Sequence, residues 1–113
     1  MKRLLPAALL AAAMLAPSAR AEDASAVREY NLVIENHRWQ PDKVVIPANA
    51  KVRFVIENRD DTPEEFDSRD LNREKVLMGK TKGQVYIGPL APGRYKFQGE
   101  YHAATAQGVV IAK

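Results

Sequence analysis

The feature that most limits what this chain can become is an apolar alternation of period two, repeated along its length and always broken before it can run far. Tyr30, Leu32 and Ile34 alternate with Asn31, Val33 and Glu35, and Val52, Phe54 and Ile56 alternate with Arg53, Val55 and Glu57. Successive side chains of a strand point to opposite faces, so each run has one face to bury. Val44 to Ile46, closed by Pro47, Val85 to Ile87, Tyr95 to Phe97 and Val109 to Ile111 supply further short strands. Turn-forming residues separate them at Asn36 to Pro41, Asn58 to Pro63, Gly79 to Gly83, Gly88 to Gly93 and Ala103 to Gly108. About six or seven such strands predict an all-β fold, an antiparallel Greek-key β-sandwich. The stretch from Ser68 to Met78 is open to a helical turn at Asp70 to Arg73 followed by a strand at Lys75 to Met78.

The amino end reads differently. Lys2 and Arg3 precede an apolar run from Leu4 to Ala16, then Pro17, Ser18 and the small-residue pattern Ala19-Arg20-Ala21. A charged start, an apolar stretch too short to span a bilayer and an A-x-A site predict a signal peptide over residues 1–21 and one domain over residues 22–113, exported to the periplasm. No later apolar run is long enough for a membrane span. The 17 basic and 14 acidic residues give a formal charge of +3, but Lys2, Arg3 and Arg20 would leave with the leader. The remaining charge balances, which removes the main support for a nucleic-acid or anionic-membrane partner. There is no cysteine, so an exported domain of this size depends on its apolar core, with a bound ion as the other available support. Ser25 and Ser68 carry no nucleophile motif, and the two histidines have no third ligand at short spacing, so no enzyme is expected.

Two segments carry a resemblance. Asp42 to Pro47, Lys51 to Asn58, then Asp60, Pro63 and the run Glu64-Glu65-Phe66 resemble the amino-terminal half of a cupredoxin, where a strand ending in Asn leads to a His-x-Phe ligand motif. Pro89 to Phe97 resembles the Pro-Gly-x-Tyr-x-Phe strand that delivers a cupredoxin's copper-binding cysteine, and His102 falls three residues beyond Gly99, the spacing of a second ligand histidine. More narrowly, the Glu64-Glu65-Phe66 run, Glu74 and the L-x-P-G-x-Y segment resemble the EfeO-type cupredoxin-like domains of bacterial periplasmic iron-uptake systems. The resemblance implies a cupredoxin-like sandwich that works as an accessory of iron or copper uptake, beside a periplasmic iron-binding protein or a membrane permease.

The departures from that pattern decide what carries over. Glu64 stands at one histidine position, Gly99 at the thiolate position, and Ala106 or Gln107 at the axial one. A type 1 copper centre needs a thiolate with two imidazoles, so no blue copper site is expected. Carboxylates with one imidazole suit iron, manganese, Cu(II) or Zn(II) rather than Cu(I). By analogy with the cupredoxin ligand loops, the candidate set is Glu64 and His102, with Glu65, Glu74 and Glu100 as additions. Glu64 and Glu65 would point to opposite faces of a strand, and Glu100 and His102 would share a face if a strand persists through Tyr101. The plainer alternatives are solvated ion pairing for the acidic run, a loop role for His102, a surface loop for His37, core packing for Trp39 and a core or strand-end place for Met78. Tyr86, Tyr95 and Tyr101 read as sandwich packing, with Tyr101 able to screen the site. A metal-free interaction module is the second functional reading.

Overall fold

The computed structural model describes residues 26–113, and the expected leader lies outside the described residues. Nine strands follow in order: β1 (Arg28–Glu35), β2 (Arg38–Gln40), β3 (Lys43–Ile46), β4 (Val52–Asn58), β5 (Glu64–Ser68), β6 (Arg73–Leu77), β7 (Lys82–Ile87), β8 (Gly93–Gly99) and β9 (Gln107–Ala112), with a single 3-10 turn at Glu100–His102 between the last two. They form a four-stranded sheet in the order β2-β1-β4-β7 and a five-stranded sheet in the order β3-β9-β8-β5-β6. The all-β sandwich is as the alternation predicts, but not all of its pairing is antiparallel. β1 runs parallel to β4, and β3 parallel to β9. In both cases the chain leaves one sheet and returns after a crossover, which brings a strand back in the same direction.

The alternation works as the sequence implies. Along β4 Val52, Phe54, Ile56 and Asn58 point inward while Arg53, Val55 and Glu57 face out. Phe66 of β5 and Phe97 of β8 stack with centroids 5.1 Å apart, and both meet Trp39 of the other sheet edge-on at 5.8 and 5.7 Å. Offset and edge-on rings each add to the burial they bring, so this aromatic group joins the two sheets. Trp39 is therefore core. Met78, Tyr86 and Tyr101 are instead exposed large side chains, and Tyr95 is only partly buried. The open stretch from Ser68 to Met78 is a turn over residues 69–72 and a strand that begins at Arg73. Ser68 holds that turn, donating from Oγ to the Lys96 carbonyl and accepting from the Leu71 amide.

Candidate metal centre

Three connections meet at one end of the sandwich, and each is fastened by its own polar side chain. The first is the loop between β4 and β5. Asn58 is 1% exposed, and its side-chain amide donates toward the carbonyls of Thr62, Leu77 and Met78 while its oxygen accepts from the Asp60 amide. A buried amide satisfied in this way acts as a staple, here tying the loop to the end of β6 just before Glu64. The second is the two-residue turn between β1 and β2. Asn36 and His37 both take positive φ, 54° and 59°, as a type I′ hairpin requires. The Asp60 carboxylate accepts from both of their amides, at 2.7 and 3.0 Å. The third is the connection from β8 to β9, where Thr105 and Ala106 donate to the His102 carbonyl and Thr105 Oγ1 donates to the His37 carbonyl at 2.6 Å.

Glu64 and His102 come together inside this frame. Glu64 Oε2 lies 2.6 Å from His102 Nδ1, and Glu64 Oε1 accepts from the amides of Glu65 and Tyr101 at 2.9 Å each. The Glu64 side chain is 2% exposed and that of His102 25% exposed. When the Glu64 carboxylate accepts in the short contact, Nδ1 is the donor, and in a neutral ring the other nitrogen, Nε2, then keeps its lone pair. The His37 imidazole lies flat on that of His102, with centroids 3.5 Å apart and planes 10° from parallel. The strand does not persist through Tyr101. The 3-10 turn replaces it and leaves Glu100 exposed.

Of the five candidate residues the structure joins Glu64 to His102 and leaves the other three, Glu65, Glu74 and Glu100, to one another on the outer face. Glu65 points away from Glu64, as alternation along β5 requires, and Asp67, two residues on, pairs with Glu74 across the β5–β6 ladder. On this outer face Glu65 has its carboxyl pushed up to about 7 by the proton-sharing contact with Glu100, by partial desolvation and by the charges of Glu74 and Asp67. Among the described residues no three His, Cys, Asp or Glu side chains are grouped to hold an ion. Glu64 is thus a buried, fully bonded carboxylate rather than a member of a solvated acidic run. His37 is the residue sequence reasoning passes over. Its only local signal is the short segment Arg38–Gln40 with Trp39 inward, which turns a presumed loop into a hairpin.

A type 1 copper centre does not fit this end of the molecule. The chain has no cysteine, and a Cβ at Gly99 would meet the Ala106 Cβ and the Glu64 Cδ at 2.7 Å each. The room for a side chain at 99 is taken by the Glu64 carboxyl. Ala106, one of the two expected axial positions, is fully buried and Gln107 is exposed.

Comparison with known proteins agrees with this architecture. The family model described as cupredoxin-like domain matches residues 6–112, and the chain belongs to that family. It is 41% identical over 85 residues to an uncharacterized protein of Rickettsia prowazekii, covering 75% of this chain and 68% of that one. Among solved structures it is similar to auracyanin A, a blue copper protein of Chloroflexus aurantiacus, with a TM-score of 0.67, 10% identity and coverage of 78% of this chain and 100% of the other. It is also similar to the metal-binding domain, with Cu(I), of the Cu(I)-exporting P-type ATPase CopA of Streptococcus pneumoniae, with a TM-score of 0.65, 9% identity and coverage of 75% and 86%. Identities this low carry the fold alone. No helix of the described residues is long and apolar enough to cross a membrane.

Proposed function

We propose that this protein is a periplasmic metal-binding cupredoxin-like protein that takes a divalent ion at the His102 end of the sandwich and serves iron or copper uptake without enzymatic turnover of its own. The observation that carries the reading is the 2.6 Å contact between Glu64 Oε2 and His102 Nδ1. A metal-binding histidine almost always gives its second ring nitrogen to a carboxylate or carbonyl, which fixes the tautomer and raises the basicity of the ligating nitrogen. Glu64 does this from a buried position with its other oxygen held by two backbone amides. Its role in this reading is to orient the imidazole, and Nε2 of His102 is the donor.

The donor set selects the ion. An imidazole with water or partner oxygen donors suits Cu(II), Zn(II) or ferrous iron, and a chain with no cysteine has no thiolate to favour Cu(I). The likeness to EfeO-type domains favours iron uptake, with a periplasmic iron-binding protein or a membrane permease as partner. The signal-like start at Lys2 to Ala21 favours the periplasm.

Equilibrium dialysis of the purified protein against Cu(II), Zn(II) or Fe(II), followed by metal analysis, tests the reading. Retention of ion is expected, without the intense blue colour that a copper-thiolate bond gives, and its disappearance in His102→Ala. Glu64→Gln should weaken retention by about 10–100-fold, the usual effect of losing an outer-shell partner, because its amide would donate to Nδ1 and move the ring proton to Nε2. No retained metal with protein at micromolar concentration would leave the metal-free interaction module as the surviving reading.

A further inference from the structure

The turn between β1 and β2 is built in an unusual way for a hairpin. Two-residue type I′ turns favour Asn followed by Gly, because both residues need positive φ and glycine bears it without strain. Here Asn36 is in place, but the second position holds His37 at φ 59°. For a residue with a Cβ, the left-handed region costs roughly 1–2 kcal/mol. That cost is offset by contacts from two other loops, the Asp60 carboxylate on the Asn36 and His37 amides and the Thr105 hydroxyl on the His37 carbonyl. A strained conformation fixed from outside by three hydrogen bonds is a reason to ask what the side chain does. The His37 ring lies 3.5 Å from that of His102 and nearly parallel to it. The hydrogen bonds of His37 are made by its backbone, and among the described residues no polar partner ties its ring, which is stacked on that of His102.

We infer that His37 is the second imidazole ligand of the ion that His102 binds. The inference rests on the metal-binding reading above and names a donor that reading lacks. The two rings have different duties. His102 is fixed at Nδ1 by Glu64 and presents Nε2 in one direction. His37 has no such tether. Parallel rings cannot both aim a lone pair at one point, so His37 tilts out of the stack when an ion arrives and brings a nitrogen onto it, while its backbone stays fastened by Asp60 and Thr105. Two imidazoles from the protein leave the remaining positions of a tetrahedral or tetragonal ion to water or to donors of a partner. Such a set suits Zn(II) and Cu(II). The ion is held beside a His102 side chain that is 25% exposed.

The test uses the purified protein with Cu(II) alone, by titration calorimetry and by the nitrogen hyperfine structure of the copper electron-spin resonance spectrum. His37→Gly is the informative variant, since glycine is the residue the turn prefers and the fold should keep or raise its thermal midpoint. The wild type is expected to show coupling to two imidazole nitrogens. His37→Gly should show one and bind about tenfold or more weakly, at least the loss that an outer-shell partner causes. His102→Ala should abolish the signal. If the wild type binds and His102→Ala does not, but His37→Gly matches the wild type in affinity and hyperfine pattern, the inference about His37 is overturned and the metal-binding reading stands. If His102→Ala binds as the wild type does, or if the wild type binds no copper, both fall.

Discussion

Gly99 and Glu64 divide one small volume between them. A Cβ at position 99 would press on the Glu64 carboxyl carbon and on Ala106 at the same distance, 2.7 Å. Restoring a thiol there with Gly99→Cys is therefore an overpacking change, expected to destabilise the fold by about 1–3 kcal/mol in urea unfolding and to give no blue colour with copper while Glu64 fills the space. Adding Glu64→Ala should recover part of that loss, because the carboxyl is one of the two groups in the way, and a non-additive double-mutant cycle is the expected signature. Strictly additive costs would show that the two residues do not compete for room. At this scale the sequence is legible where a residue stands in a motif. His102 is found by its spacing from Gly99, and Glu64 by its place in the Glu64-Glu65-Phe66 run. What Glu64 does is not legible, since its burial and its three bonds arise only when β5 meets the turn after β8. His37 is hidden for the same reason, because its neighbour is a ring far away in sequence.

At the level of elements, β5 carries two chemistries on its two faces. Inward go Glu64, Phe66 and Ser68, and outward go Glu65 and Asp67. The outer face gathers Glu65, Asp67, Glu74 and Glu100, and the Glu65 carboxyl rises to about 7 through Glu100 first, then desolvation, then the charges of Glu74 and Asp67. A carboxyl that titrates higher in the folded than in the unfolded state holds its proton better when folded, so its contribution is full below the ordinary carboxylate range and is lost as pH rises to about 7. The thermal midpoint of the wild type should therefore fall between pH 5 and pH 7.5 by more than that of Glu65→Gln, with ~5 and ~7.5 chosen to straddle the titration. Parallel curves for the two proteins would remove Glu65 as the cause. The strands β1, β3, β4, β7, β8 and β9 are legible because a short apolar run or alternation marks each. β6 is read in part, as a strand at Lys75 to Met78 where the structure has Arg73–Leu77, and β2 and β5 are not, because β2 is a three-residue piece and β5 alternates charged residues with its apolar one.

Across the whole molecule the aromatic group of Trp39, Phe54, Phe66 and Phe97 bridges the sheets, while the candidate-site residues Glu64, His102 and His37 sit together at one end. Glu64 is two residues from Phe66 on a shared inner face, so core and site are positioned by one strand. The pairing scheme adds a constraint in time. β3 lies parallel to β9, Lys43 to Ile46 against Val109 to Ala112, so a strand made early finds its neighbour only in the last strand of the described chain. β8 waits for β9 as well. Pairs that join distant parts of the chain require long loops to close before they gain contacts, which makes loop closure the slow part of assembly. Refolding by stopped-flow fluorescence of Trp39 should thus fall in the millisecond-to-second range of non-local β folds, and a microsecond phase carrying the full amplitude would contradict it. A nascent chain that stops short of Gln107 has neither β3 nor β8 paired with β9, so the five-stranded sheet is cut to β8-β5-β6 and β3 is left without a neighbour in its sheet.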